Sequence, residues 1–155
     1  MHLTEGMPAP EWSLPGDGNA TLSSARNGRP LVLFFYPKDD TSGCTKEAIA
    51  FSQHLPEFEE LGVDVVGMSP DGVAKHDKFK AKHQLTIPLA ADEEKATLEA
   101  FGVWVEKSMY GKKYMGVERS TFLIDGEGRI VRIWRKVKVP GHAEEVLEAA
   151  RDLVA

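Results

Sequence analysis

Cys44 is the one cysteine among 155 residues, and it closes the segment Pro37-Lys38-Asp39-Asp40-Thr41-Ser42-Gly43-Cys44 between an apolar run and a helical pattern. A cysteine in the first turn of a helix meets free backbone N–H groups and the positive end of the helix dipole, which favour a thiolate over a thiol. Gly43 beside it lets the backbone approach a bound group closely. The bland alternative is a buried structural cysteine. Against it stand the polar neighbours Asp39, Asp40, Thr41, Ser42, Thr45 and Lys46, which predict a sulfur near the surface. Other chemistries fail at named positions. A C-x5-R phosphatase loop needs an arginine where Ala50 stands, and a redox C-x-x-C needs a cysteine where Glu47 stands. Asp39 and Asp40 are adjacent, so they cannot share one face as a paired-aspartate phosphatase requires. His54, His76 and His83 lack the surroundings of a protease base. Without metal-ligand spacing the five histidines read as surface residues, and neither metal nor cofactor is expected.

Positioning that cysteine requires a strand, a turn and a helix. Leu31-Val32-Leu33-Phe34-Phe35-Tyr36 is continuously apolar, the pattern of a strand buried on both faces. Ala48, Phe51 and Leu55 recur at helical spacing, with Thr41 or Ser42 available as the cap. Val63 to Met68 reads as a second buried strand, Val73 to His83 as an amphipathic helix, Ile87-Pro88-Leu89 as a short strand and residues 93–101 as helix. Residues 1–30 read as loop with at most a small hairpin near Trp12-Ser13-Leu14, and Val103 to Glu118 as a long surface loop. Ser120 to Ile124, the turn Asp125-Gly126-Glu127-Gly128 and Ile130 to Trp134 predict a hairpin, followed by a helix from Ala143 to Val154. The sum is an α/β fold, a central mixed sheet flanked by helices, in one domain over 1–155.

Nineteen basic against 24 acidic residues give a net charge of −5. That balance argues against nucleic acid and anionic membranes as partners. No apolar run approaches the ~20 residues of a spanning helix. The N-terminus lacks a signal-peptide pattern, so a cytoplasmic location is expected. One cysteine excludes an internal disulfide. No long apolar strand advertises a large interface, and a monomer is expected.

The stretch Phe35 to Ala48, with its P-x-x-x-T-x-x-C core at Pro37, Thr41 and Cys44, resembles the active-site segment of the peroxiredoxins, and within them the bacterioferritin comigratory protein or Q-type group. The similarity extends to Met68-Ser69-Pro70-Asp71, to Met109 through Gly116 and to Arg119 through Asp125. The resemblance implies a thioredoxin-like fold and an antioxidant thiol peroxidase acting on hydrogen peroxide and organic hydroperoxides. It implies Cys44 as the peroxidatic thiolate that becomes a sulfenic acid, and Thr41 and Arg119 as its catalytic partners. Pro37 would shield the sulfur, Glu47 would orient Arg119, and the Gly43 and Cys44 N–H groups would add donors.

The chain departs from the group at the resolving cysteine, whose positions carry Ile49 and, approximately, Lys80. The resemblance is therefore to a one-cysteine variant, reduced by an external thiol: thioredoxin, glutaredoxin or a low-molecular-weight thiol. A peroxide sensor that relays oxidation to a partner, and a non-catalytic thioredoxin-fold binding or chaperone module, stand as alternatives. Trp104, Phe101, Met109 and Tyr114 could rim a site for organic hydroperoxides, with Phe101 read as core. Lys107, Lys112 and Lys113 could attract an acidic partner or glutathione, or form a solvated loop.

Overall fold

The apolar run that starts at Leu31 becomes the middle strand of the main sheet, and the candidate site hangs from its C-terminal end. The computed structural model describes residues 3–155. In chain order it contains β1 (Ser13–Pro15), a short 3-10 turn (Asp17–Asn19), β2 (Thr21–Ser23), β3 (Leu31–Phe35), α1 (Ser42–Glu60), β4 (Asp64–Ser69) and α2 (Val73–His83). There follow β5 (Leu89–Ala91), α3 (Ala96–Ala100), β6 (Trp104–Met109), β7 (Lys112–Val117), β8 (Ser120–Ile124), β9 (Ile130–Trp134) and α4 (His142–Val154). The main sheet runs β5-β4-β3-β8-β9, parallel on the β4 and β5 side and antiparallel on the β8 and β9 side. This is the expected mixed sheet.

Continuous apolarity in β3 serves two cores. Val32, Phe34 and Tyr36 face a cluster with Phe51 and Phe58 of α1 and Val146 and Leu147 of α4. Leu31, Leu33 and Phe35 face another, with Met68, Phe101 and Phe122. Stacking of Phe34 on Phe51, with ring centroids 4.5 Å apart, fixes α1 against β3. Loop 36–41 is then a rigid bridge between two anchored elements.

Two segments differ from expectation. Residues 103–118 are not a loop but the hairpin β6–β7, paired from Trp104↔Val117 to Met109↔Lys112. Its turn is Tyr110-Gly111, both with positive φ (52° and 77°), the left-handed pair of a tight hairpin turn. Most of β6 and β7 is exposed or half-buried, so no apolar alternation marks the strands. The short strand near Ile87 lies two residues later, at Leu89–Ala91, and the N-terminal hairpin forms as β1–β2.

Candidate active site

α1 begins one residue after Thr41 and places Cys44 in its first turn, as expected. The first intrahelical bond runs from the Thr45 N–H to the Thr41 carbonyl at 2.8 Å. No side chain caps the end. The N–H groups that precede this bond are the orphan donors of a helix start, directed at whatever occupies the space before the helix. Thr41 occupies the cap position without capping, since its hydroxyl donates to the Lys38 carbonyl at 2.9 Å. With its proton so committed, the Thr41 oxygen is left with a lone pair to accept a further hydrogen bond.

The surface placement expected for Cys44 is not what the fold produces. Its residue is 1 % exposed and packs with Tyr36, Ala48 and Phe51. Asp40, Thr41, Ser42 and Lys46 are exposed, because helical geometry turns only one side of the first turn inward, whereas Asp39 is itself buried. Burial does not leave the sulfur among apolar atoms alone. Arg119, 75 positions distant, donates from Nη2 to Cys44 Sγ at 3.2 Å and from Nη1 to Glu47 Oε1 at 2.6 Å. Burial works against the charged guanidinium, yet Glu47 and Cys44 together hold the Arg119 pKa above its ordinary value. Arg119 immediately precedes β8, whose antiparallel pairing brings Ser120 opposite Phe35 at the site end of β3. The Val137 N–H, donating to the Arg119 carbonyl at 3.0 Å, fixes its backbone.

Glu47 lies one turn beyond Cys44 and is 1 % exposed. Burial pushes its carboxyl from the ordinary 4.5 up to about 7, against the pull of Arg119. Its Oε2 is buried with no partner among the described residues, the desolvated atom that explains the rise. Gly43 packs closely against the guanidinium. A Cβ at that position would lie 3.2 Å from Arg119 Nη2. Pro37 is half-buried at the start of the loop. Cys44, Glu47, Gly43 and Arg119 are thus brought together, and Thr41 stands at the mouth of the same helix.

Sequence reasoning missed the residues that hold the loop. Asp39 is buried, with Oδ1 accepting from the Tyr36 hydroxyl at 2.6 Å and Oδ2 2.6 Å from His76 Nδ1. His76 is fully buried and its Nε2 lies 2.9 Å from the Ala90 carbonyl. The Asp39 N–H donates to Asp71 Oδ2, which also accepts from Ser69 Oγ. Burial and the Asp39 carboxylate push the Tyr36 phenol well above its ordinary range, so it remains a donor. Asp40 adopts a positive φ of 61° and binds Lys82 Nζ at 2.7 Å and His83 Nε2 at 2.8 Å. The adjacent aspartates, opposed in direction, are two clasps that fasten the loop to α2.

The reading of all five histidines as surface groups is therefore corrected for His76 and for His142, while His2 lies outside the described residues. His142 is buried beside Thr121, and burial drops its pKa from 6.5 to about 4. The spacing Tyr36-x-x-Asp39 and the segment Ser69-Pro70-Asp71 were the visible signals of the network. The proposed peroxide rim also divides: Phe101 is core, Trp104 packs against that core, and Met109 and Tyr114 are exposed on the hairpin. At the two resolving-cysteine positions, Ile49 packs against the core and Lys80 pairs with Asp17 at 2.8 Å. Lys80 thereby ties α2 to the turn after β1.

The chain matches the AhpC/TSA family over residues 6–133. It is similar to peroxiredoxin Bcp of Bacillus subtilis, at 48% identity over 154 residues, 99% of this chain and 98% of that one. Among solved structures it is similar to Xanthomonas campestris peroxiredoxin Q, with a TM-score of 0.89 and 46% identity over 93% of this chain and 92% of that chain. It is also similar to the bacterioferritin comigratory protein of that organism, solved as trapped intermediate/ligand complexes that bear on alkyl peroxide reduction. There the TM-score is 0.88 and the identity 45%, over 93% of this chain and 92% of that chain.

Proposed function

The chain belongs to the AhpC/TSA family and is a thiol-dependent peroxidase of thioredoxin-like fold, and on that premise we propose that Cys44, Thr41 and Arg119 carry the reaction. The Cys44 thiolate attacks one oxygen of a hydroperoxide, the O–O bond breaks, and the second oxygen leaves as an alcohol or as water after taking a proton. The sulfur is oxidised to sulfenic acid. Arg119 stabilises the thiolate before the step and the charge that develops on the peroxide oxygens during it. Thr41 accepts a hydrogen bond from the hydroperoxide O–H and sets its line of approach, while the free N–H groups at the start of α1 face the departing oxygen. Glu47 and Gly43 are positioning residues that act through Arg119, and Pro37 keeps water from the sulfur. The observation that carries this reading is the single guanidinium bonded to both Cys44 Sγ and Glu47.

With one cysteine in the chain, the sulfenate has no internal thiol to meet and an external one reduces it. Hydrogen peroxide and organic hydroperoxides are the proposed substrates, the second in line with the alkyl peroxide reduction of the X. campestris relative. Among the described residues no helix is long and apolar enough to cross a membrane. We place the enzyme in the cytoplasm as a monomer, its whole length one catalytic domain. The test is peroxide consumption with excess dithiothreitol, compared with Cys44→Ser. Sustained consumption lost in the variant supports the reading. Equal consumption by both proteins contradicts it, and a single stoichiometric oxidation without turnover would mark a sensor instead.

A further inference from the structure

The charge of this acidic chain is divided. Residues 104–119 and 130–138 hold eight Lys and Arg against two Glu, whereas the rest of the chain holds eleven against twenty-two. The fold brings these two segments together around Arg119. A cleft of about 480 Å³ is lined by Lys107, Arg119 and Lys136, with Glu106 and Glu118 as its carboxylates. It shares Lys136 and Val137 with a neighbouring cleft of about 430 Å³ that adds Arg135, Lys138 and Glu145. None of Lys107, Lys136 and Lys138 enters an ion pair among the described residues. Most cations of α2 and of the chain's N-terminal part, by contrast, are matched: Arg26, Arg29, Lys75, Lys80 and Lys82 all have carboxylate partners. Glu106, Glu118 and Glu145 in the same clefts are equally without an ion pair among the described residues, and Arg119 is matched by Glu47, so Lys107, Arg135, Lys136 and Lys138 leave a small positive excess that favours an anion over a cation there.

That cleft is joined to the reacting atom through one side chain. Arg119 lines it and also touches Cys44 Sγ at 3.2 Å. Two further observations set the size of what enters. Cys44 is 1 % exposed, and the loop before it is clasped to α2 through Asp39–His76 and Asp40–Lys82. A sulfur so enclosed is reached more readily by a small molecule than by a thiol on a protein surface. We propose that the Lys107–Lys136–Lys138 face is the docking site for the resolving reductant, and that this reductant is a low-molecular-weight thiol bearing carboxylates. The inference rests on the assignment of Cys44 as the peroxidatic residue.

The carboxylates of the thiol sit on the lysines and its thiolate attacks the Cys44 sulfenic sulfur. An S–S bond forms, the S–O bond breaks, and the hydroxyl leaves as water with the proton of the incoming thiol. A second molecule of the same thiol displaces the Cys44 thiolate and leaves as the small disulfide. The peroxide is reduced and two thiols are oxidised, so the cycle balances.

The experiment forms the sulfenate with one equivalent of hydrogen peroxide, then mixes it with mercaptosuccinate (anionic), 2-mercaptoethanol (neutral) or cysteamine (cationic). Mixed-disulfide formation is followed by quenched-flow mass spectrometry, with rates referred to thiolate concentration. Mercaptosuccinate is expected to react about tenfold faster than cysteamine at low salt, the advantage shrinking as the Debye length shortens toward ~8 Å. Lys107→Glu with Lys136→Glu should slow mercaptosuccinate about tenfold, leaving 2-mercaptoethanol and sulfenate formation unchanged. Rates independent of thiol charge, or equal slowing of all three thiols in the variant, would overturn the proposal. So would a variant that slows a thioredoxin-class protein dithiol while leaving mercaptosuccinate untouched. Failure of Cys44 to take up oxygen in the first step would overturn the peroxidase assignment itself and this proposal with it.

Discussion

Arg119 joins Cys44 and Glu47 through the two arms of one guanidinium, so its loss and the loss of its support should differ in size. On the proposed reading, Arg119→Ala removes a charged donor to the transition state, a contribution of ~2.7–4 kcal/mol. Stopped-flow sulfenate formation should slow by roughly two to three orders of magnitude with the circular dichroism spectrum unchanged. Thr41→Val should also be severely slow and Thr41→Ser much less so, because in the proposed reaction the hydroxyl receives the peroxide. Near-normal rates in Arg119→Ala and Thr41→Val together would contradict the assignment. Gly43→Ala places a Cβ 3.2 Å from Arg119 Nη2. It should displace the guanidinium and cost about tenfold in rate, or ~1.4 kcal/mol, without unfolding the chain.

Glu47 and His142 also set a pH dependence of stability. Burial raises the Glu47 carboxyl from 4.5 to about 7 in the folded protein. Between those values the unfolded chain releases a proton that the folded chain keeps, so stability falls as pH rises, by roughly 3 kcal/mol in all. His142 is displaced the other way, from 6.5 to about 4. There the unfolded chain gains a proton that the folded chain refuses, so stability falls as pH drops. The two slopes oppose each other between about pH 4.5 and 6.5. Glu47→Gln removes the first only, and its urea midpoint should rise with pH across that window while the parent protein stays comparatively flat. Identical slopes in the two proteins would show that Glu47 does not titrate as its burial requires.

At the scale of elements, α2 acts as the clamp on the loop that precedes Cys44. Its His76 fills the buried gap between Asp39 and the Ala90 carbonyl. His76→Ala leaves two buried polar groups short of a partner, at ~1–3 kcal/mol each. Equilibrium unfolding should register a loss of roughly 3 kcal/mol, and the peroxide step should slow as the loop loosens. Lys82→Ala breaks only an exposed pair with Asp40, and should change stability little. Equal effects from the two substitutions would mean that the buried clasp is not what holds the loop.

For the whole molecule, one cysteine in 155 residues sets the stoichiometry of the proposed cycle. Without an external thiol, one equivalent of peroxide should add a single oxygen, and excess peroxide should carry Cys44 on to sulfinic acid and inactivate the enzyme. Intact-mass spectrometry reads both products. Repeated turnover with no thiol present would contradict the one-cysteine cycle.

Sequence alone was enough for whatever depends on local pattern or on counting. The buried strand Leu31–Phe35, helix α2 at Val73–His83 and the hairpin of β8 and β9 stand where periodicity and turn residues put them. The lone cysteine excludes an internal disulfide by arithmetic. The segment from Pro37 to Cys44, with Arg119, carries the resemblance to the peroxiredoxins. Tertiary structure decided what depends on elements distant in the chain. Burial of Cys44 follows from the side of α1 that packs on β3, which neighbouring letters cannot reveal. His76 and His142 are interior because Asp39 and Thr121 arrive from other elements to bond them. The hairpin of β6 and β7 was invisible because exposed strands need no apolar alternation. The gathering of spare lysines beside Arg119 exists only once the two segments on either side of β8 lie together, since charge adds up in space and not along the chain.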